Sequence, residues 1–275
     1  MSKYFWISLI ILTGACRKNP DTVNGQQLNV AYGNELQQKM DIYLPADRTL
    51  QHTKVLIMIH GGGWASGDKS DFNEAIPVIR QRLPDYAVFN LNYRLATTDN
   101  NRFPAQEDDI RAAIQFIYDQ RIRFRISDRF VLLGASAGGH LALLQSYKYN
   151  NPVKPRAVIS FFGPADLISL YNDNATAAFL LNFALGATPA QATTLYTQSS
   201  PVTFVHAGCP PTLLLQGGQD ELVPPSQANI LLAALEANGV TSKYVYYPSE
   251  GHGWAGSNLV DSYEKITAFL EAQVP

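Results

Sequence analysis

Short apolar runs bounded by polar or turn-forming residues recur along the chain, and their order predicts its architecture. Val55-Leu56-Ile57-Met58-Ile59, Phe130-Val131-Leu132-Leu133, Ala157 to Phe161 and Thr212-Leu213-Leu214-Leu215-Gln216 show almost no polar alternation. Runs of that kind fit strands covered on both faces. Ala87 to Asn92, Met40 to Leu44, the β-branched and aromatic Lys243-Tyr244-Val245-Tyr246-Tyr247 and an edge strand near Leu28-Asn29-Val30-Ala31 complete eight predicted strands. Between them Ile110, Ile114 and Ile117 repeat at helical spacing, as do Ala228, Leu231, Leu232 and Leu235, and then Leu259, Tyr263, Ile266 and Leu270. Alternating strand and helix predicts an α/β fold with a mostly parallel eight-stranded sheet and helices on both faces. From about 163 to 201 the pattern loosens into Asp166-Leu167-Ile168-Ser169-Leu170, a polar Asn172-Asp173-Asn174 and an apolar helix-like piece over Ala177 to Leu185. This segment is read as a small cap.

Composition fits one domain: 275 residues with 46% hydrophobic and 16% charged suit a single large core, assigned to residues 28–275. A formal net charge of −2 with no basic run gives no footprint for nucleic acid. Arg121, Arg123 and Arg125 form the densest basic stretch, which reads as a helix end. The start of the chain is different. Lys3 precedes an apolar stretch from Tyr4 to Leu12, too short to cross a bilayer but fitting a signal-peptide core. Leu12-Thr13-Gly14-Ala15-Cys16 then resembles a lipoprotein cleavage box, with Thr13 where leucine is usual. Residues 1–15 are therefore read as a signal peptide, Cys16 as the lipidation site and 16–27 as a tether. The expectation is an exported protein whose only membrane contact is a lipid anchor, an ordinary secretory signal being the alternative. With Cys16 acylated, Cys209 would have no disulfide partner and reads as a small buried hydrophobe. His52, His60, His140, His206 and His252 lack ligand spacing, so neither metal nor cofactor is expected.

The candidate chemistry lies where apolar runs end. Ser136 occupies Gly134-Ala135-Ser136-Ala137-Gly138, after one predicted strand and before the helix-compatible His140-Leu141-Ala142-Leu143-Leu144. A strand, a sharp glycine-flanked turn and a helix make a nucleophile elbow. Val55 to Ile59 runs into His60-Gly61-Gly62-Gly63-Trp64, where the N–H groups of Gly62 and Gly63, with that of Ala137, are candidate donors to an oxyanion. A phosphate-cradling loop would need a Gly-Lys-Ser/Thr ending, which is absent. His60 is read as a buttress of this loop. Downstream, Asp220 and His252 each follow a predicted strand, and the chain order Ser, Asp, His is that of an α/β-hydrolase triad. Trp64, Phe162 and Trp254 are candidate walls of a substrate pocket.

With these residues in view the chain resembles the α/β-hydrolase superfamily, and within it bacterial carboxylesterases of the hormone-sensitive-lipase-like and feruloyl/acetyl carbohydrate-esterase groups. The matching stretches are Asp41-Ile42-Tyr43-Leu44-Pro45, His60 to Trp64, Asn92-Tyr93-Arg94-Leu95, Phe103 to Asp109, Gly134 to His140, Asp220 to Pro224 and Gly251 to Trp254. The resemblance implies Ser136 as nucleophile, Asp220 as acid, His252 as base, and an ester of small molecules or oligosaccharides, short-acyl or feruloyl, as substrate. Gln216-Gly217-Gly218 departs from relatives that often carry histidine and glycine there. Two other functions stay open on the sequence: an amidase-type hydrolase, formamidase-like or prolyl-oligopeptidase-like, and a non-catalytic binding protein on the same fold.

Overall fold

The computed structural model describes residues 25–275. The segment read as a signal peptide, Cys16 and most of the predicted tether lie outside the described residues. Strands β1 (Gln26–Ala31), β2 (Lys39–Tyr43), β3 (Lys54–Ile59), β4 (Tyr86–Leu91), β5 (Phe130–Ala135), β6 (Ala157–Phe161), β7 (Thr212–Gly217) and β8 (Ser242–Tyr247) form one sheet in the order β1-β2-β4-β3-β5-β6-β7-β8. β1 and β2 pair antiparallel, β2 and β4 likewise, and every later pairing is parallel. The interior strands β3 to β7 are buried almost throughout, which is why their sequences run apolar without alternation. β1 starts at Gln26, two residues inside the predicted tether, where Gln26 pairs with Tyr43 and Gln27 with Ile42. An edge strand needs a partner on one side only, so its polar residues face water and no apolar run marks its start.

Nine helices are present among the described residues: α1 (Ala75–Arg82), α2 (Ala105–Asp119), α3 (Arg121–Phe124), α4 (Ala137–Lys148), α5 (Leu167–Asp173), α6 (Ala175–Leu185), α7 (Thr193–Gln198), α8 (Pro225–Ala237) and α9 (Gly256–Gln273). The period of two along β3 divides the core. Val55, Ile57 and Ile59 pack with α2, α4 and α8, whereas Leu56 and Met58 pack with α1 and α9. The basic stretch Arg121 to Phe124 is itself the short α3, and the Arg121 guanidinium lies 4.3 Å from the ring centre of Tyr118. α1 is not among the predicted helices, although Ile76, Ile79 and Leu83, all buried, recur at helical spacing; Pro77 sits in its first turn, where no intrahelical N–H bond is lost.

α4 is buried from Ala137 to Tyr147, so it sits as a central rod between the sheet and the segment 163–201. That segment folds into α5, α6 and α7. Asp166 caps α5 by accepting from the Ile168 and Ser169 N–H groups, Asn174 caps α6 through the Ala177 N–H, and Gly186 ends α6 with φ of 77°.

The glycines around Ser136 are set by close backbone approach. A Cβ on Gly134 would come within 2.1 Å of the Gly138 carbonyl oxygen, and one on Gly138 within 2.0 Å of the Ile59 oxygen and 2.4 Å of the His60 oxygen. Here backbone meets backbone, so no side-chain rotation relieves the clash. Gly138→Ala is expected to lose upwards of about 3 kcal/mol in urea unfolding, as overpacking against rigid backbone does. Gly239→Ala, at a φ of 67° with nothing within 4 Å, should lose only about 1 kcal/mol, the left-handed backbone penalty. Similar losses at both positions would show that the Gly138 contact is not rigid.

Candidate active site

Ser136 joins β5 to α4 with φ 53° and ψ −123°, a region that a residue with a side chain enters only under strain of about 1–3 kcal/mol. Two backbone bonds hold it there. Its N–H donates to the Phe161 carbonyl at 2.9 Å, and its own carbonyl accepts from the His140 N–H at 2.9 Å. The strained turn lifts Oγ off the end of the sheet, where His252 Nε2 lies 2.9 Å away. The other ring nitrogen of His252 lies 2.7 Å from Asp220 Oδ2. With Nδ1–H donating to the carboxylate, Nε2 is left as acceptor for the serine hydroxyl.

Asp220 is 3% exposed, and its carboxylate is fixed from both sides. Oδ1 accepts the N–H groups of Leu222 and Val223 at 3.0 and 2.8 Å. The Gln216 amide lies 3.4 Å from Oδ2 and donates to the Val223 carbonyl at 3.0 Å. The residue that departs from the resembling families thus packs beneath the acid loop, a role that only the three-dimensional arrangement reveals. The loops carrying Asp220 and His252 are joined backbone to backbone: Gly218 N–H donates to Tyr247 O and Gln219 N–H to Glu250 O, both at 2.8 Å. Gly217 makes this possible, since a Cβ there would stand 2.2 Å from the Gly251 oxygen.

The glycine loop after β3 presses against the same turn, with Gly61 so placed that a Cβ would lie 3.2 Å from that of Ser136. Gly62 and Gly63 have φ of 105° and 57°, and Ala65 and Ser66 both donate their N–H to Gly62 O, closing a tight turn. Among the described residues no protein acceptor takes the N–H of Gly62 or Gly63. Ala137 is the first residue of α4, with its N–H at the positive end of the helix. His60 buttresses the loop from below: its Nδ1 bonds Gly61 O at 2.7 Å and its ring stacks on Tyr93 with centroids 4.3 Å apart. Tyr93 in turn donates to His60 O at 3.0 Å. Burial pushes the His60 pKa down and the Tyr93 pKa up, so both stay neutral as structural props.

Loop position is also secured from outside. Lys69, in the 3₁₀ turn Lys69–Phe72, pairs with buried Asp41 at 2.9 Å, donates its N–H to Asn92 Oδ1 and accepts from Asn90 Nδ2. Arg94 pairs with buried Asp109 at 2.6 Å. The quoted stretches around Asp41, Asn92 and Asp109 are therefore framework.

The three candidate wall aromatics end in different places. Trp64 is only 3% exposed and, as a wall, turns its ring inward. Its indole N–H donates to His140 Nδ1 at 3.1 Å, while His140 Nε2 bonds the Ser199 carbonyl at 2.7 Å. The rest of the Trp64 ring borders a cavity of about 30 Å³ at Ser136, lined also by Leu170, Leu180 and Leu181 of the segment over the site. Phe162 and Trp254 lie beyond His252. Phe162 rests on the imidazole with centroids 4.6 Å apart and on Trp254 at 5.4 Å, and both border a separate cavity of about 290 Å³.

A mostly parallel sheet of this strand order, with the serine after β5 and the aspartate and histidine after β7 and β8, is the α/β-hydrolase fold. Residues 40–235 match the BD-FAE family, and the chain belongs to it. It is 25% identical over 244 residues to Esterase LipC of Mycobacterium tuberculosis, covering 82% of this chain. Among solved structures, the Bifunctional GH43-CE of Bacteroides eggerthii superposes with a TM-score of 0.80 at 24% identity, over 91% of this chain and 38% of that one. A truncated form of carbohydrate esterase from gut microbiota gives 0.76 at 23%, over 92% and 98%. The chain spans 59% of the length of LipC.

His140 provides a pH test of this arrangement. Burial, opposed by the bond to the Ser199 carbonyl and aided by the charge of Lys148, pushes its pKa from 6.5 down to about 4, and the ring thus kept neutral accepts from Trp64. The unfolded chain takes up this proton near 6.5 and the folded one only near 4. Stability is thus full above pH 6.5 and falls as the pH drops towards about 4, by roughly 3 kcal/mol from this residue. Urea midpoints measured between pH 7 and 4 should decline over that window, and His140→Gln should flatten the decline. An equally steep decline in the variant would refute the assignment.

Proposed function

We propose that the chain is a serine esterase that removes short acyl groups, acetyl above all, from esters of carbohydrate alcohols. The observation that carries this reading is the relay from Asp220 through His252 to Ser136, set beside the unpaired Gly62 and Gly63 N–H groups. Ser136 Oγ attacks the ester carbonyl as His252 Nε2 takes its proton, and Asp220 steadies the imidazolium. The Gly62, Gly63 and Ala137 N–H groups receive the oxyanion. When the tetrahedral intermediate collapses, the C–O bond to the alcohol breaks and His252 returns the proton to the leaving oxygen. Water then repeats the sequence on the acyl-enzyme and releases the acid.

Size argues for a short acyl group. The apolar cavity of about 30 Å³ at Ser136 accommodates a methyl or slightly more, and Leu170, Leu180 and Leu181 block further extension. A feruloyl ring does not fit there. The name of the gut-microbiota structure supports a carbohydrate as the alcohol, and that of LipC supports ester hydrolysis. Each methylene that cannot be housed should cost about 1 to 3 kcal/mol in the transition state. Rates on 4-nitrophenyl esters should therefore peak at acetate to butyrate and collapse by octanoate, and acetate should be released from acetylated xylan oligosaccharides. Ser136→Ala should lower kcat by about 10⁴ to 10⁶. A maximum at long chains, or an active Ser136→Ala, overturns the reading.

We also propose export with a lipid anchor on Cys16, supported by Lys3, the apolar stretch Tyr4 to Leu12 and the small residues before the cysteine. No helix among the described residues is long and apolar enough to cross a membrane. In a bacterial host Cys16→Ser should shift the protein from the detergent-extracted membrane fraction to the soluble fraction with esterase activity intact. An unchanged distribution rejects the anchor.

A further inference from the structure

Beyond the ester pocket, the cavity of about 290 Å³ lies between the start of α1 and the start of α9, on the opposite face of the sheet from α4. Its floor is apolar, made by Met58, Ile79, Leu133 and Ala135. Phe72, Phe162, Trp254 and Tyr263 give it aromatic walls. Neither Ser136 nor His252 borders it, although its lining includes Ala135 and Gly253, their immediate neighbours in the chain. Apolar cavities of about 150 Å³ lined by such side chains hold benzene, so this volume takes one aromatic ring with a short tail.

The mouth sets the polarity of that tail. Asp71 and Glu74, both exposed, are the charged residues of the lining, and no lysine or arginine borders the cavity. Asp71 spends one carboxylate oxygen on the Asp68 N–H. Glu74 faces Tyr263, whose hydroxyl pKa is raised by burial and then by the Glu74 charge. Two carboxylates at the rim of an aromatic cavity repel an anion and attract a cation.

We propose that this cavity is a second binding site, separate from the ester pocket, for an arylalkylammonium: one aromatic ring in the apolar floor and a cationic nitrogen between Asp71 and Glu74. An occupant there rests on Phe162 and Trp254, the rings behind His252. Trp254 is held in place by its N–H bond to Ser262 Oγ at 2.8 Å, so the wall is already formed.

Calorimetric titration of the full-length protein with phenethylamine and with 3-phenylpropionate tests the site, since the two probes differ chiefly in the charge of the tail. Phenethylammonium should bind at least about tenfold more tightly than the carboxylate, and added salt should narrow the gap. Ala75→Trp, which fills the cavity, should abolish amine binding while hydrolysis of 4-nitrophenyl acetate persists. Glu74→Gln should weaken the amine about two- to fivefold, the effect of one solvent-exposed ion pair. Protein whose Ser136 has been labelled with a fluorophosphonate should bind the amine unchanged. Loss of binding on labelling would place the amine in the ester pocket and overturn the proposal. Equal affinity for the acid, or indifference to both variants, would overturn it as well. Failure of the label to attach would count against Ser136 as nucleophile, leaving the two variants to decide the amine site.

Discussion

The approach of three backbone segments to one another at the end of β5 is the constraint on which the rest of the molecule depends. The turn at Ser136 needs the Gly138 Cα against the carbonyls that end β3, and Gly134 against Gly138 itself. The same contact therefore sets the φ of the serine, the direction of α4 and the distance of the glycine loop from Oγ. Because α4 is buried along its length, any error in that turn would be transmitted through a central element to both the sheet and the segment above it. Strain at Ser136 persists because the surroundings determine its backbone from several sides.

His252 and Asp220 reach this turn from the other half of the sheet, and their positions rest on hydrogen bonds within the backbone more than on side-chain packing. Gly217 and Gly218 let the two loops close on each other, so the imidazole and the carboxylate sit on one bonded piece of backbone. Gln216 supports that piece from beneath. On either side lie two spaces of unlike size: a small apolar one under α5 and α6, and a larger aromatic one between α1 and α9. The division follows from the sheet, whose alternate residues face opposite layers.

The interior strands and the amphipathic helices α2, α8 and α9 were legible in the sequence because burial imposes a period that composition reveals. The serine, aspartate and histidine were legible for a related reason: each follows a recognisable strand, and loops at the carboxyl ends of parallel strands converge. What periodicity could not show was set by long-range contact. Polar residues hid the start of β1, and nothing near Trp64 in the chain signals that its partner is His140, 76 residues away. A tryptophan beside glycines carries no mark of which way it turns, so the burial of Trp64 and its bond to the rod α4 were not legible. Phe162 and Trp254, read as walls of the same pocket as Trp64, border the other cavity instead, because the side of the imidazole on which they lie is decided by packing against Phe161 and Tyr247.

The bridge from Trp64 through His140 to the Ser199 carbonyl has a bearing on how the segment over Ser136 can vary. It ties the loop beside Ser136 to the far end of the segment between β6 and β7, by way of a residue on the buried rod between them. Replacement of α5 and α6 can therefore exchange the roof over Ser136, provided that the chain returns to the same post at residue 199. The shape of that roof and the geometry of the Ser136 turn become separable, with the boundary between them marked by a single main-chain oxygen.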